Sequence, residues 1–251
     1  VVKIPPNILN PLLYILYYKA LKKEGLIDIH CHILPALDDG AASLEEAEKM
    51  LQEAEKIGIR EIVATPHLKW GEEILTRERI EASISLMPNF IKIHPGAEVP
   101  LLEAPQLLED GKIISTGKIV LFDTPPIGGL IGLEQLVFKL ALKRLKAVIA
   151  HPERNPSFVK DKRRLEHLKN MGLLFQINAS SLVGIQGREM MRSAEQLIEW
   201  GLADILASDA HNSEAYQYFK EAVSLIAKRW GNELAEAMTR TNIEPLLRKE
   251  E

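Results

Sequence analysis

Leu26-Ile27-Asp28-Ile29-His30-Cys31-His32-Ile33-Leu34-Pro35, continued by Ala36-Leu37-Asp38-Asp39-Gly40, decides how the rest of the chain is read. An apolar run that ends in His-x-His is a buried strand whose last residues leave the sheet. Strand side chains alternate between faces, so His30 and His32 point one way and Cys31 the other. Two imidazoles on one face at a strand end can grip one metal ion. Alone, the pair is equally well read as two incidental histidines near a loop. The pattern recurs, however, because strand-like segments also end in Thr65-Pro66-His67, Gly96-Ala97-Glu98, Ala150-His151-Pro152 and Ser208-Asp209-Ala210-His211.

Outward from that stretch, short β-branched runs alternate with longer helical patterns. Ser43-Leu44-Glu45-Glu46 is a capping box that opens a helix through about Ile57, ended by Gly58. Glu61 to Ala64, Ile91 to Ala97, Ile119 to Phe122, Ala147 to Ala150, Leu173 to Ile177 and Asp204 to Ala207 read as further strands. Helical patterns cover about Thr76 to Ile84, Gly132 to Arg144, Asp161 to Met171, Gly187 to Trp200 and Ser213 to Trp230. Strands alternating with helices pair in parallel. About seven such units, with no repeat or linker between them, predict an α/β fold with one barrel-like (β/α) domain over 26–251. Thr124-Pro125-Pro126-Ile127-Gly128-Gly129 reads as a βα loop and not as a domain boundary.

Residues 1–25 form an extension, expected to be an amphipathic helix packed on the domain or on a neighbouring subunit of a homo-oligomer. Its uninterrupted apolar run, Leu12 to Tyr18, falls far short of the ~20 residues a transmembrane helix needs. No basic start or small-residue cleavage site marks it as a signal peptide. The 251 residues carry 46% hydrophobic and 26% charged side chains, an ordinary globular balance long enough for a sizeable core. A formal net charge of -4 argues against nucleic acid as the main partner. One cysteine excludes an internal disulfide and suits a reducing, cytoplasmic setting.

His30, His32, His67, Glu98, Asp123, His151, Asp209 and His211 all fall at or just past the C-terminal ends of predicted strands, the face that carries chemistry in barrels of this kind. Asp39, in the loop after the first strand, adds a fourth carboxylate. Carboxylates crowded on one rim repel each other unless cations intervene. Imidazole and carboxylate without thiolate favour manganese, iron or zinc, and so many ligands call for two or three ions with bridging carboxylates. Such a cluster suits a dianionic phosphate monoester, because it polarises phosphoryl oxygens and supplies hydroxide at neutral pH. Arg154, just beyond His151, has the planar fork to clamp phosphate oxygens, and a surface pair with Glu153 is its bland alternative. Lys69 is a weaker second phosphate contact. Asn178 suits a role orienting a ligand or water. His94 reads as a satisfied core histidine, His167 as a solvated helix residue, and Cys31 as packing. Leu37 stands six positions after Cys31, so the Cys-x5-Arg loop of cysteine-dependent phosphatases is absent.

Together these motifs resemble the PHP family, named for polymerase and histidinol phosphatase domains, and within it the CpsB-type bacterial protein tyrosine phosphatases. The resemblance runs from about Leu26 to the last helices. It implies a distorted, TIM-like (β/α)7 barrel, a manganese-favouring trinuclear site and hydrolysis of phosphotyrosine. The implied partner is a phosphotyrosyl protein, the tyrosine-rich tail of a bacterial kinase that controls capsule or exopolysaccharide synthesis. By position, His30, His32, Glu98 and Asp209 hold one ion. Glu98 bridges to a second, shared with Asp123 and His151, and Asp39, His67 and His211 hold the third. Arg154 matches the phosphate-binding arginine, and Asp209 and His211 join it in the catalytic set. The family's usual glutamate after the fourth strand is Asp123 here, a shorter reach. Competing readings are a histidinol-phosphate phosphatase on the same metals, a nuclease, an amidohydrolase, and a non-catalytic metal-stabilised module. The amidohydrolases want a lysine after the fourth strand, which Asp123 replaces.

Overall fold

A computed structural model describes residues 25–70, 73–128 and 131–248. The expected N-terminal helix lies outside them. The first strand, β1 (Leu26–Cys31), leads through the Asp38-Asp39-Gly40 loop into α1 (Leu44–Ile57). Ser43 caps α1 by accepting from the Glu46 N–H, and Glu46 reaches back to the Ala42 N–H. Gly58 closes the helix in the left-handed conformation, φ +100°, that a side chain would strain. Ala47, Met50, Leu51, Ala54 and Ile57 are buried along one helix face. At about 1.5–3 kcal/mol for each large side chain, that stripe fixes α1 on the sheet.

The strands that follow are β2 (Ile59–Ala64), a small antiparallel pair β3 (Lys69–Trp70) and β4 (Glu73–Ile74), and β5 (Lys92–Pro95). Then come β6 (Glu98–Pro100), β7 (Ile119–Asp123), β8 (Lys146–Ala150), β9 (Leu174–Asn178) and β10 (Ala203–Ala207). Parallel pairing runs β1-β2-β5 in one sheet and β10-β9-β8-β7-β6 in the other. Backbone bonds join the two sheets at both seams. His32 N–H donates to Ala210 O at 2.8 Å and Asp209 N–H to His30 O at 2.8 Å, while Leu68 N–H donates to Glu98 O at 2.8 Å. The result is the expected barrel-like ring, with β5 and β6 sharing one position. The sequence reads that position as a single strand, Ile91 to Ala97. It breaks because Pro95 has no N–H to donate and Gly96 is pressed against Thr116 and Val63, where an added Cβ would stand 2.6 and 2.7 Å from their side chains.

Helices α2 (Arg77–Ile84), α3 (Ala104–Glu109), α4 (Leu133–Leu142), α5 (Lys162–Asn170), α6 (Ala179–Leu182), α7 (Arg188–Glu199) and α8 (Ala215–Trp230) connect the strands. Their apolar faces and the outward strand residues form the larger core. Ile27, Ile29, Val63, Leu121, Val148 and Ile205 make a separate cluster inside the ring. Ile243, Leu246 and Leu247, from the segment around α10 (Glu244–Leu247) after the short α9 (Asn232–Glu236), join that inner cluster. They stop one end of the ring, where Lys118 N–H donates to Leu246 O at 2.7 Å.

Simple alternation along β1 does not hold throughout. Asp28 pairs with Ile62 but Cys31 with Ala64, three residues against two. That bulge puts Ile27 and Ile29 with the inner cluster and Leu26 and Cys31 with the outer one. Beyond the bulge, Cys31 still faces away from His30 and His32.

Candidate metal centre

His30 and His32 are fully buried, and their Nε2 atoms stand 3.2 Å apart. Each ring is fixed from behind. His30 Nδ1 lies 2.9 Å from Gln176 Oε1, and His32 Nδ1 lies 2.6 Å from Asp38 Oδ2. Both neighbours are acceptor oxygens, so both Nδ1 atoms carry the hydrogen. In the neutral rings, two Nε2 lone pairs then face each other across a buried gap. A cation between them relieves that repulsion, and this arrangement is the outer-sphere support that metal-bound histidines use.

Three groups of ligand atoms, each within 4.8 Å of one another, surround this pair: His32, Asp39, His67 and His211; His30, His32 and Glu98; Glu98, Asp123 and His151. His32 and Glu98 each belong to two groups, so the groups are fused. Asp209 joins them, its Oδ1 lying 3.2 Å from His30 Nε2 and 3.4 Å from His32 Nε2. Glu98 Oε1 is 2.9 Å from His151 Nε2, and Oε2 is 3.0 Å from His67 Nδ1. Asp39 Oδ1 lies 3.5 Å from His67 Nε2 and 3.3 Å from His211 Nε2. Two atoms about 2.1 Å from a shared ion, at tetrahedral or octahedral angles, stand roughly 3.0–3.4 Å apart. The observed spacings match. Asp123 Oδ1, 3.7 Å from His151 Nε2, is the loosest member, and its side chain is 39% exposed.

Local backbone accounts for the convergence. His151 and Asp209 adopt left-handed conformations, φ +35° and +50°, which cost of order 1–3 kcal/mol each. Asp28 holds the second of these turns. Its carboxylate accepts from Ser208 N–H at 3.0 Å and from Ser208 Oγ at 2.5 Å. The Asp38-Asp39-Gly40 loop folds tightly over β1, because a Cβ on Gly40 would lie 1.9 Å from His32 O. Only glycine permits that approach, which brings Asp38 to the back of His32.

The electrostatics show an anionic cage. Burial presses His30 toward neutrality, but Glu98 and Asp209 outweigh it and raise its pKa to about 8. His32 is likewise raised well above the usual histidine range against burial, through Asp209, Asp38 and Glu98. Burial opposes charge on Glu98 and Asp209, yet the surrounding histidines hold both well below the ordinary carboxylate range. Protons on these rings take the place of the cations the cage calls for. Asp123 is raised, first by burial and then by the Glu98 charge.

Every metal-ligand candidate read from the sequence therefore reaches the same rim. Arg154 does too: its Nη2 donates to Asp209 Oδ2 at 2.7 Å, and the side chain is 29% exposed. Its surface pairing with Glu153 is not formed, since Glu153 is buried and accepts from Asn178 N–H. Lys69 is turned to Glu103, at 3.0 Å. Asn178 Nδ2 donates to Asp209 Oδ2 at 2.7 Å, an orienting contact on a candidate ligand. His94 is paired with Glu61 at 2.7 Å, and His167 is exposed on α5. Asp28, Asp38 and Ser208 stand inside the motifs read from the sequence without a role of their own there, and Gln176 stands outside them. A lone glutamine inside the apolar run Phe175-Gln176-Ile177 was the available signal for one of them.

Ring and rim together define an α/β protein built on a parallel, barrel-like ring with a candidate multinuclear metal centre. The chain belongs to the CpsB/CapC family of capsular polysaccharide synthesis, which matches residues 26–248. It is 37% identical over 236 residues to the tyrosine-protein phosphatase YwqE of Bacillus subtilis (strain 168), covering 90% of this chain and 92% of the relative. Identity to the tyrosine-protein phosphatase CpsB of Streptococcus pneumoniae is 28% over 229 residues, 85% of this chain and 94% of the relative. The solved structure of YwqE and CpsB, described as unique metal-dependent tyrosine phosphatases, matches with a TM-score of 0.81 at 34% identity. That match covers 90% of this chain and 96% of the other.

Proposed function

We propose that this protein is a metal-dependent phosphomonoesterase that hydrolyses phosphotyrosine in proteins, with manganese as its metal. The observation that carries the reading is Arg154 at the mouth of the fused ligand groups, hydrogen-bonded to Asp209. His30, His32, Glu98 and Asp209 would hold one ion, Glu98, Asp123 and His151 a second, and Asp39, His67 and His211 a third. Bound ions there supply Lewis acidity and lower the pKa of water toward neutrality. Arg154 binds the phosphoryl oxygens and orients phosphorus. Asp209 remains ionised, since its pKa is held well below the usual range, and anchors Arg154 through Oδ2 while Oδ1 faces the histidines. His211, 32% exposed at the opening, completes the rim from the Asp209 turn.

A cysteinyl intermediate has no support in this chain. Cys31 is fully buried and its thiol is pushed well above the ordinary range, first by burial and then by Asp28. A tyrosyl leaving group, with a pKa of about 10, departs far more readily than a serine alkoxide and needs less help from an acid. The same chemistry favours phosphotyrosyl proteins, and the partner we infer, from the family's link to capsular polysaccharide synthesis, is the tyrosine-rich tail of a kinase in capsule or exopolysaccharide synthesis, met in the cytoplasm. Lys69, partly exposed and paired with the exposed Glu103, is a subsidiary phosphate contact. The test is a manganese-supplemented panel of phosphotyrosyl peptide, phosphoseryl peptide, histidinol phosphate and a phosphodiester. Preference for the phosphotyrosyl peptide, abolished by a chelator and restored by manganese, is the expected result. Histidinol phosphate turning over far faster would move the chain to the small-molecule reading.

A further inference from the structure

Arg154 is gripped from two sides. Besides the bond from Nη2 to Asp209, its Nε donates to Gln186 Oε1 at 2.9 Å. Gln186 stands in the turn between α6 and α7, remote from every motif in the sequence. Its amide is itself fixed, because Ser181 Oγ donates to Oε1 at 3.1 Å and Nε2 donates to Ser180 Oγ at 3.0 Å. With the amide nitrogen committed to Ser180, the carbonyl faces Arg154, which is the polarity a guanidinium requires. A guanidinium carries five N–H donors. These two bonds use one on Nε and one on Nη2, leaving both on Nη1 and one on Nη2 for a ligand. Without Gln186, the single bond to Asp209 would let the plane swing about that contact.

We propose that Gln186, set by Ser180 and Ser181, is a positioning residue that fixes the Arg154 plane so that its Nη edge meets phosphoryl oxygens. The proposal rests on the reading of Arg154 as the group that holds phosphate. It acts on a tetrahedral oxyanion of any phosphomonoester, so phosphate binding is a cleaner probe than turnover alone.

The experiment is a double-mutant cycle between Gln186 and Arg154. Gln186→Met keeps the side-chain length and removes the acceptor, Gln186→Ala guards against a packing artefact, and Gln186→Glu retains an acceptor. Inorganic phosphate binding to the manganese-loaded proteins is measured by calorimetry, beside kcat/KM on a phosphotyrosyl peptide. Gln186→Met and Gln186→Ala should each weaken phosphate binding and lower kcat/KM about tenfold, as expected for losing a hydrogen bond to a charged group. Metal content should not change, Gln186→Glu should keep most of the function, and neither loss should recur in an Arg154→Ala background. In the metal-free protein, the Arg154 Nε–H signal should exchange faster with solvent in Gln186→Met. Equal losses with and without Arg154, or no loss in the parent, would overturn the proposal. Unchanged phosphate binding in Arg154→Ala would overturn it as well. A parent that binds phosphate through Arg154 yet cleaves no phosphotyrosyl peptide would defeat the functional reading and still leave the cycle to judge Gln186.

Discussion

Asp38→Asn should cost the metal centre more than its conservative chemistry suggests. Asp38 Oδ2 accepts from His32 Nδ1 at 2.6 Å and from His67 N–H at 2.9 Å, and Oδ1 accepts from Gly40 N–H at 3.0 Å. All three partners are donors, so an asparagine must turn its NH2 toward at least one of them. Flipping the amide moves the conflict without removing it. If the NH2 faces His32, the imidazole loses the acceptor that keeps its Nε2 lone pair aimed at the cage. If it faces Gly40, the loop carrying Asp39 loses its tether. In either pose the anion that raises the basicity of His32 is gone. Burial pushes the Asp38 carboxyl up, but His32 and the backbone N–H groups of Gly40 and His67 outweigh it and hold it below the ordinary range. Loss of such a partner typically weakens metal binding about 10–100-fold, or roughly 1.4–2.8 kcal/mol. Manganese titration against a competing chelator dye, on protein with an unchanged circular dichroism spectrum, reads this directly. An affinity within about twofold of the parent would show that Asp38 does not support His32 and would refute the reasoning.

Four other outcomes follow from the same geometry. Arg154→Ala should lower kcat/KM on phosphotyrosyl peptide by roughly 100–1,000-fold with metal content intact, and Arg154→Lys should recover only part of it because the fork is lost; full recovery by lysine would contradict a two-donor contact. Asp123→Glu should tighten the ion shared with His151, since a longer carboxylate closes the 3.7 Å spacing; equal manganese stoichiometry and affinity in the two proteins would dismiss the idea. Cys31→Ser should retain most activity, because the thiol is buried and faces the outer core, and strong loss at full metal content would count against a thiol-independent reaction. Metal uptake should release protons below about pH 8, where His30 is still protonated in the metal-free protein, and the His30 share of this release should fade as pH rises through that value. The sign is that of a raised histidine: its pairing stabilises the metal-free fold fully below the unfolded pKa of about 6.5 and is lost as pH rises through about 8, and because the same proton competes with the metal, apparent metal affinity climbs with pH up to at least about 8. Calorimetry in buffers of different ionisation enthalpy tests this, and pH-independent affinity between 6 and 8 would contradict it.

The sequence by itself determined the alternation of strands and helices, and with it the parallel ring. It also determined the ligand types, because each candidate sits at a strand end where the chain must leave the sheet. Ser43, Glu46 and Gly58 announced α1 at both ends for local reasons, a cap and a left-handed stop. What it left open depends on contacts between residues far apart in the chain. The stopper formed by Ile243, Leu246 and Leu247 was not legible, since a short apolar run carries no mark of the cavity it fills. Neither was the bulge in β1, which is set by its register against β2. Gln176 became the partner of His30, and Asp28 the holder of the Asp209 turn, only when β9 and β10 closed the ring beside β1. Periodicity and capping act within a few residues and can be read along the chain. Which buried acceptor stands behind which imidazole is a property of the closed ring, and only the tertiary structure decided it.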